Sequence, residues 1–274
     1  MNNSSSTNGW LWLTVPIALL LALAAGGGVF MQGLYRDNPN LVVQARGQDV
    51  ITLGVALPML VISAWLTGRG AQRARLVWLG VLIYTVYTYV GYAFAVRFNI
   101  LFLVYVALLG GATYALIGGL VTTDRAGIQA SFTARTPVKT VSIFLAVIAA
   151  LFYALWLSDA IPASLAGQPS QGLIDAGTPT NFVQVLDMAW LLPALVITAV
   201  TLWRKQPIGY MLAGALLTYA VLLTLAVLAM VVFMVRGGQP VVILQVVIFV
   251  VMLAVSSGLV INYLQNLKSS PSLT

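Results

Sequence analysis

The chain has 274 residues, of which 61% are hydrophobic and only 7% charged, with 13 Lys and Arg against 6 acids and a net charge of +7. It contains no His, no Cys and no Glu, so haem, blue-copper, iron–sulfur and structural zinc sites, which need His or Cys ligands, are excluded along with disulfide and thiol chemistry, and no cofactor is expected. The basic residues are scattered singly between apolar runs, which excludes the continuous patch that nucleic-acid binding requires.

Apolar runs of about 20 residues, the length that crosses a bilayer core, recur throughout. They predict an all-α integral membrane protein with eight transmembrane helices, at Trp10–Tyr35, Val50–Leu66, Leu76–Val96, Ile100–Thr122, Val138–Leu157, Phe182–Trp203, Ile208–Val235 and Pro240–Leu264. The first lacks a charged leader and exceeds a signal-peptide core, so it is read as a genuine span. Alternating the turns puts Arg69, Arg73, Arg75, Arg125, Arg135, Lys139, Arg204, Lys205 and Lys268 on one side, and Arg36, Arg46, Arg97 and Arg236 on the other. Short basic loops stay in the cytoplasm, which makes both termini cytoplasmic, as expected of a multi-pass protein of a plasma (inner) membrane. All three lysines fall at span ends or beyond, so a retinal Schiff base is excluded.

Two stretches repeat each other. Leu57-Pro58-Met59-Leu60-Val61-Ile62-Ser63-Ala64 returns as Leu192-Pro193-Ala194-Leu195-Val196-Ile197-Thr198-Ala199, and each is followed by a basic turn. Thr14–Leu19 likewise resembles Thr140–Leu145. A four-helix unit repeated in the same direction follows, with repeats related by an axis along the bilayer normal. The expected organisation is a flexible tail at 1–9, a first repeat at 10–122, a cytoplasmic linker at 123–137, a second repeat at 138–267 and a tail at 268–274. In each repeat the longest loop, Arg36–Asp49 or Ser158–Asn181, joins the first two helices on the outer side.

Candidate site residues follow in chain order. Asp49 reads either as the N-cap of the second helix or, with Gln44, Arg46 and Gln48, as part of a polar stretch at the membrane edge. On the third helix Tyr84 and Tyr87 share a face and lie closer to mid-membrane than an interfacial belt, where a phenol needs a hydrogen-bond partner. Arg97, in the tight turn that follows, either snorkels outward or pairs with an outer Asp. Small residues recur at spacing four on the first and fourth helices, a packing signal within the chain or between protomers. Asp187 is the strongest candidate: a helix starting at Pro179 puts it more than two turns in, on a polar stripe with Asn181 and Gln184. No metal site is expected.

Asn181 through Gly214, with Asp187, Pro193, Trp203-Arg204 and Gly209-Tyr210, resembles a pattern in uncharacterised bacterial multi-helix membrane proteins, and this resemblance implies no activity. The reading favoured by the residues is a transport or small-ligand-binding protein whose outward-facing polar pocket lies between the repeats, lined by Asp187, Gln184, Asn181, Tyr84 and Tyr87. Membrane lipids and a small molecule are its expected partners. Two alternatives stand beside it. One is a non-catalytic accessory subunit that packs with a partner membrane protein or a second copy. The other, weaker for want of His, Cys, Glu or paired acids, is a lipid-active enzyme using Asp187 or Asp49 as acid–base group.

Overall fold

The computed structural model describes residues 9–268. The expected tails, apart from Gly9 and Lys268, lie outside them. Eight helices are long and apolar enough to cross a membrane: Gly9–Phe30, Pro39–Gly68, Gln72–Phe94, Phe102–Thr122, Val138–Ala166, Phe182–Trp203, Pro207–Arg236 and Ile243–Gln265, numbered here as spans one to eight. Two short helices, Arg125–Ser131 and Gln171–Ala176, sit in the connections. The protein is thus an all-helical, multi-pass membrane protein.

Several boundaries differ from expectation, most of all around spans one, two, five and six. Span one stops at Phe30, which leaves Tyr35 in the following loop. Span two begins at Pro39, where proline's missing N–H costs nothing, and Asn38 caps it by accepting from the Asn40 N–H at 3.1 Å. The polar stretch from Gln44 to Asp49 is therefore helical, and Asp49 is not an N-cap. Span five runs on to Ala166, and span six starts at Phe182 under an Asn181 cap, so Pro179 precedes the helix and does not open it.

Spans three and seven form the centre. Span seven packs against spans two, three, six and eight, and span three against two, four and seven. Their contact is close because both present glycine there: a Cβ on Gly80 would stand 2.5 Å from the Ala215 carbonyl oxygen, and one on Gly214 would stand 2.7 Å from Leu76. The small residues of span four serve packing inside the chain, with Gly111 against Ile17 of span one and Gly119 against Trp78 of span three. Trp78 in turn donates to the Thr14 hydroxyl at 3.0 Å, tying span three to span one.

At the end of the bundle rich in Arg and Lys, the connection between spans four and five is ordered and docked. Asp124 caps its short helix by accepting from the Gly127 N–H, and the segment pairs with the chain after span eight through a β bridge between Phe132 and Leu267. Arg73 donates to the carbonyls of Leu267 and Gln265, and Thr133 to that of Asn266. Near Phe132, Tyr263 donates to the Tyr210 carbonyl at 3.0 Å. The beginning of span three and the end of span eight are thereby stitched together.

Spans two and six share an irregularity. Each contains a five-residue π turn, Thr52–Ala56 and Asp187–Leu191, ending immediately before a Leu-Pro pair. Proline offers no N–H, and its ring crowds the carbonyl four residues back. The ladder avoids that clash by widening: the Leu57 N–H bonds Thr52 and the Leu192 N–H bonds Asp187, both one residue further back than in an α-helix.

Gly80→Ala should destabilise the protein by about 1–3 kcal/mol, because its Cβ meets backbone that cannot rotate away. Gly258→Ala, at a position open to its surroundings, should leave stability unchanged or slightly raised. Thermal unfolding of both variants in detergent micelles checks this.

Candidate functional site

Two carboxylates are buried in the bundle, Asp49 with 1% of its surface exposed and Asp187 with 5%. Among the described residues no Lys or Arg side chain makes a hydrogen bond or ion pair to either. Both are held by aromatic donors.

Asp49 lies in span two, opposite the end of span one. Tyr35 Oη donates to Oδ2 at 2.5 Å, and Tyr92 Oη, from span three, sits 3.0 Å from Oδ1 and 3.1 Å from the Ala45 carbonyl. Gly28 of span one makes room for this pair, since a Cβ there would overlap the Asp49 carboxylate and the Tyr35 hydroxyl. Burial, followed by the neighbouring Asp49, pushes the Tyr35 phenol well above its ordinary value, so it stays a proton donor. Tyr89 and Tyr105 pack around Tyr92 with ring centroids 5.3 and 5.4 Å from it, and neither of their hydroxyls has a hydrogen-bond partner.

Immediately before Asp49 in the chain, Gln48 Nε2 donates to Tyr84 Oη and to Thr88 Oγ1, each at 2.9 Å. Thr52 Oγ1 spends its proton on the Gln48 carbonyl, so the 2.9 Å contact between Thr52 and Tyr84 has the phenol as donor. Tyr84 is fully buried, and its hydrogen-bonding capacity is used within this cluster. It does not share a hydrogen bond with Asp187.

Asp187 opens the π turn of span six. Tyr87 Oη from span three donates to Oδ1 at 2.8 Å, and Trp156 Nε1 from span five donates to Oδ2 at 2.8 Å. Tyr153, one turn before Trp156, donates to the Met188 carbonyl at 3.2 Å. Tyr219 of span seven closes the group, its ring edge-on to Tyr87 at 5.6 Å. Of the expected polar stripe, only Asp187 faces this interior. Asn181 caps the helix, accepting from the Val183 and Gln184 N–H groups, and Gln184 reaches across to Asp159 of span five at 2.9 Å.

Arg97 belongs elsewhere. Its backbone N–H donates to Asp37 Oδ1 at 3.0 Å, and its side chain borders a cavity of about 390 Å³. That cavity is lined also by Arg36, Asp37, Asn38 and Gly177–Pro179, at the end of the bundle opposite the basic one. The expected single pocket is therefore three places: a tyrosine-bound Asp49, an aromatic-bound Asp187, and a loop cavity that touches only Arg97 of the candidates.

Sequence reading missed Tyr35, Tyr92, Trp156 and Tyr219. Tyr219 was within reach, because it follows Asp187 by the same 32 residues that separate Tyr84 from Thr52. Among the described residues no group of three or more His, Cys, Asp or Glu could hold a metal ion. Compared with known protein families, characterised proteins and solved structures, the chain matches none.

The Asp49 cluster makes a quantitative prediction. Tyr92→Phe should cost about 1–3 kcal/mol in the native chain, the penalty for leaving a buried polar group one donor short. The cost should be markedly smaller in an Asp49→Leu background. A double-mutant cycle by thermal unfolding measures the difference, and equal costs in both backgrounds would dissociate Tyr92 from the carboxylate.

Proposed function

We propose that the protein is a membrane transporter or small-ligand-binding protein, and that Asp187 with its aromatic partners is its binding centre. One observation supports this above the others: two carboxylates are buried in an eight-span bundle without a basic partner. An acid in the middle of a membrane protein costs about 2.5–3.5 kcal/mol even by the mildest scale, and such residues mark ion and substrate paths. Asp187 fits the role better than Asp49. It stands where span three, span five, span six and span seven converge, whereas Asp49 is enclosed by tyrosines on every described side.

The proposal includes the architecture of two parallel four-helix repeats, residues 10–122 and 138–267, with cytoplasmic termini and an inner-membrane location. In its support, the two π turns occupy the same place before the two Leu-Pro pairs. Thr52 with Tyr84 in one half corresponds to Asp187 with Tyr219 in the other. On this reading the second half has an acid where the first has a threonine, and the halves meet at spans three and seven. Parallel repeats commonly place the substrate between them. The loop cavity at Arg36 and Arg97 would be the outward mouth, formed by connections from both halves.

The accessory-subunit alternative drew on the small-residue stripes; Gly111 and Gly119 of the span-four stripe pack against spans one and three, whereas Gly26 of the span-one stripe faces open space. The lipid-enzyme alternative would need a second acid or base beside Asp187, and its hydrogen-bond partners are Tyr87 and Trp156.

Native mass spectrometry of the protein released gently from its own membranes tests the proposal. A discrete small ligand should be retained by the native chain and lost or weakened in Asp187→Asn and Tyr87→Phe. Ligand retention unaffected by both substitutions would overturn the assignment of the centre, and a stoichiometric protein partner without any ligand would favour the accessory-subunit reading.

A further inference from the structure

Two acids, Asp187 and Asp159, lie along the seam between spans five and six. Where the two helices run antiparallel, Tyr153 meets Met188, Trp156 meets Asp187, and Asp159 meets Gln184, in order toward the long-loop end. Asp159 is exposed, and Trp156 is partly so. An acid thus stands at the mouth of the seam and another at its floor, with no Lys or Arg among their hydrogen-bond partners. A second, independent feature points into the same place. Tyr219 is 2% exposed, and its hydroxyl, near the Tyr87 hydroxyl and the Asp187 carboxylate, has no partner at good hydrogen-bonding geometry. A buried polar atom left without a partner is costly and calls for an absent one.

From this arrangement we infer that the Asp187 centre takes an organic ammonium ion, entering between spans five and six. This deepens the binding role proposed above and rests on it. The chemistry discriminates among cations. Hard metal ions want six or more oxygens at short range, and Asp187 is the one carboxylate at the floor of the seam. The walls are instead the indole of Trp156 and the phenols of Tyr87 and Tyr219. Aromatic faces attract weakly hydrated ammonium groups, and the carboxylate supplies the balancing charge. Tyr219 offers its free oxygen to an N–H on the ligand. The Tyr87 and Trp156 donors that satisfy Asp187 in the empty site would be released, wholly or in part, when the cation arrives. Asp159, held by Gln184 at the mouth, attracts the cation without binding it tightly.

The test uses the full chain in lipid nanodiscs and isothermal titration with four probes: ethanolammonium, choline, choline's uncharged tert-butyl analogue, and sodium chloride. Ethanolammonium and choline should bind, and the uncharged analogue should not. Asp187→Asn, nearly isosteric, should weaken both by about tenfold or more, since a desolvated charge pair is lost. Tyr219→Phe should weaken ethanolammonium several-fold while sparing choline, which has no N–H, and should leave thermal stability intact. That selective loss is a readout that a merely structural tyrosine would not give. Equal binding of the uncharged analogue, or saturable binding of sodium alone, would overturn the inference. So would no binding of any probe to a chain shown by its unfolding transition to be folded. If native mass spectrometry then found an anionic or neutral ligand that Asp187→Asn releases, the binding centre would stand and only its cationic class would fall.

Discussion

The bundle encloses two acidic side chains, Asp49 and Asp187, where water is scarce and where no cation among the described residues answers them. In a bilayer interior the choice is between a basic neighbour, a ring of hydrogen-bond donors, or a mobile positive partner. This chain uses donors, and draws them all from aromatic side chains: two phenols for Asp49, and one phenol and one indole for Asp187. Aromatic donors suit the location because each brings a single polar atom on a large apolar body, so the lipid-compatible volume of the core is kept.

That choice explains the unusual character of span three. It is the most enclosed of the eight, and it carries buried Tyr84, Tyr89 and Tyr92 and half-buried Tyr87 within little more than two turns. Three of these serve polar groups on two stretches of chain: Tyr92 serves Asp49 and Tyr84 serves Gln48 and Thr52 on span two, and Tyr87 serves Asp187 on span six. Span three works as a common spine from which both acidic centres are hydrogen-bonded. Glycines at 80 and 214 bring span seven close enough to seal its other side. The carboxylate at 49 depends in the same way on the missing side chain at 28.

The spans themselves were readable because a bilayer imposes length and hydropathy directly on sequence, and the eight apolar runs correspond to the eight long helices. Helix rotation was harder to read. The apolar residues of span six point in all directions, so nothing in its period distinguishes the face of Asp187 from that of Gln184, and a stripe of three polar residues looked continuous. In the structure it is divided among a cap, a contact with Asp159 and an interior bond. The start of span two was misjudged for the opposite reason. Gln44, Arg46, Gln48 and Asp49 are too polar to read as membrane helix, yet their backbone is helical and the two innermost side chains are satisfied by tyrosines that lie 36 to 43 residues on. Partners at that distance leave no local trace. The pairing of Asp187 with Tyr87 was anticipated from depth alone, whereas Trp156, 31 residues before Asp187, leaves no local sign of its role.

The widened turns before Pro58 and Pro193 have a geometric consequence of their own. One additional residue in a helix swings everything on one side of it by about 100° relative to the other side. Spans two and six are therefore each two half-helices with different azimuths: toward the long loops, Gln48, Asp49 and Thr52 of one and Asp187 of the other meet span three, and beyond the proline small residues such as Ser63 and Ala64 or Thr198 and Ala199 lie in the core. A strictly regular helix would have had to satisfy both demands with a single face. The proline-imposed offset frees them from each other, so the acid at 187 can be re-aimed by altering the turn without disturbing the packing below it.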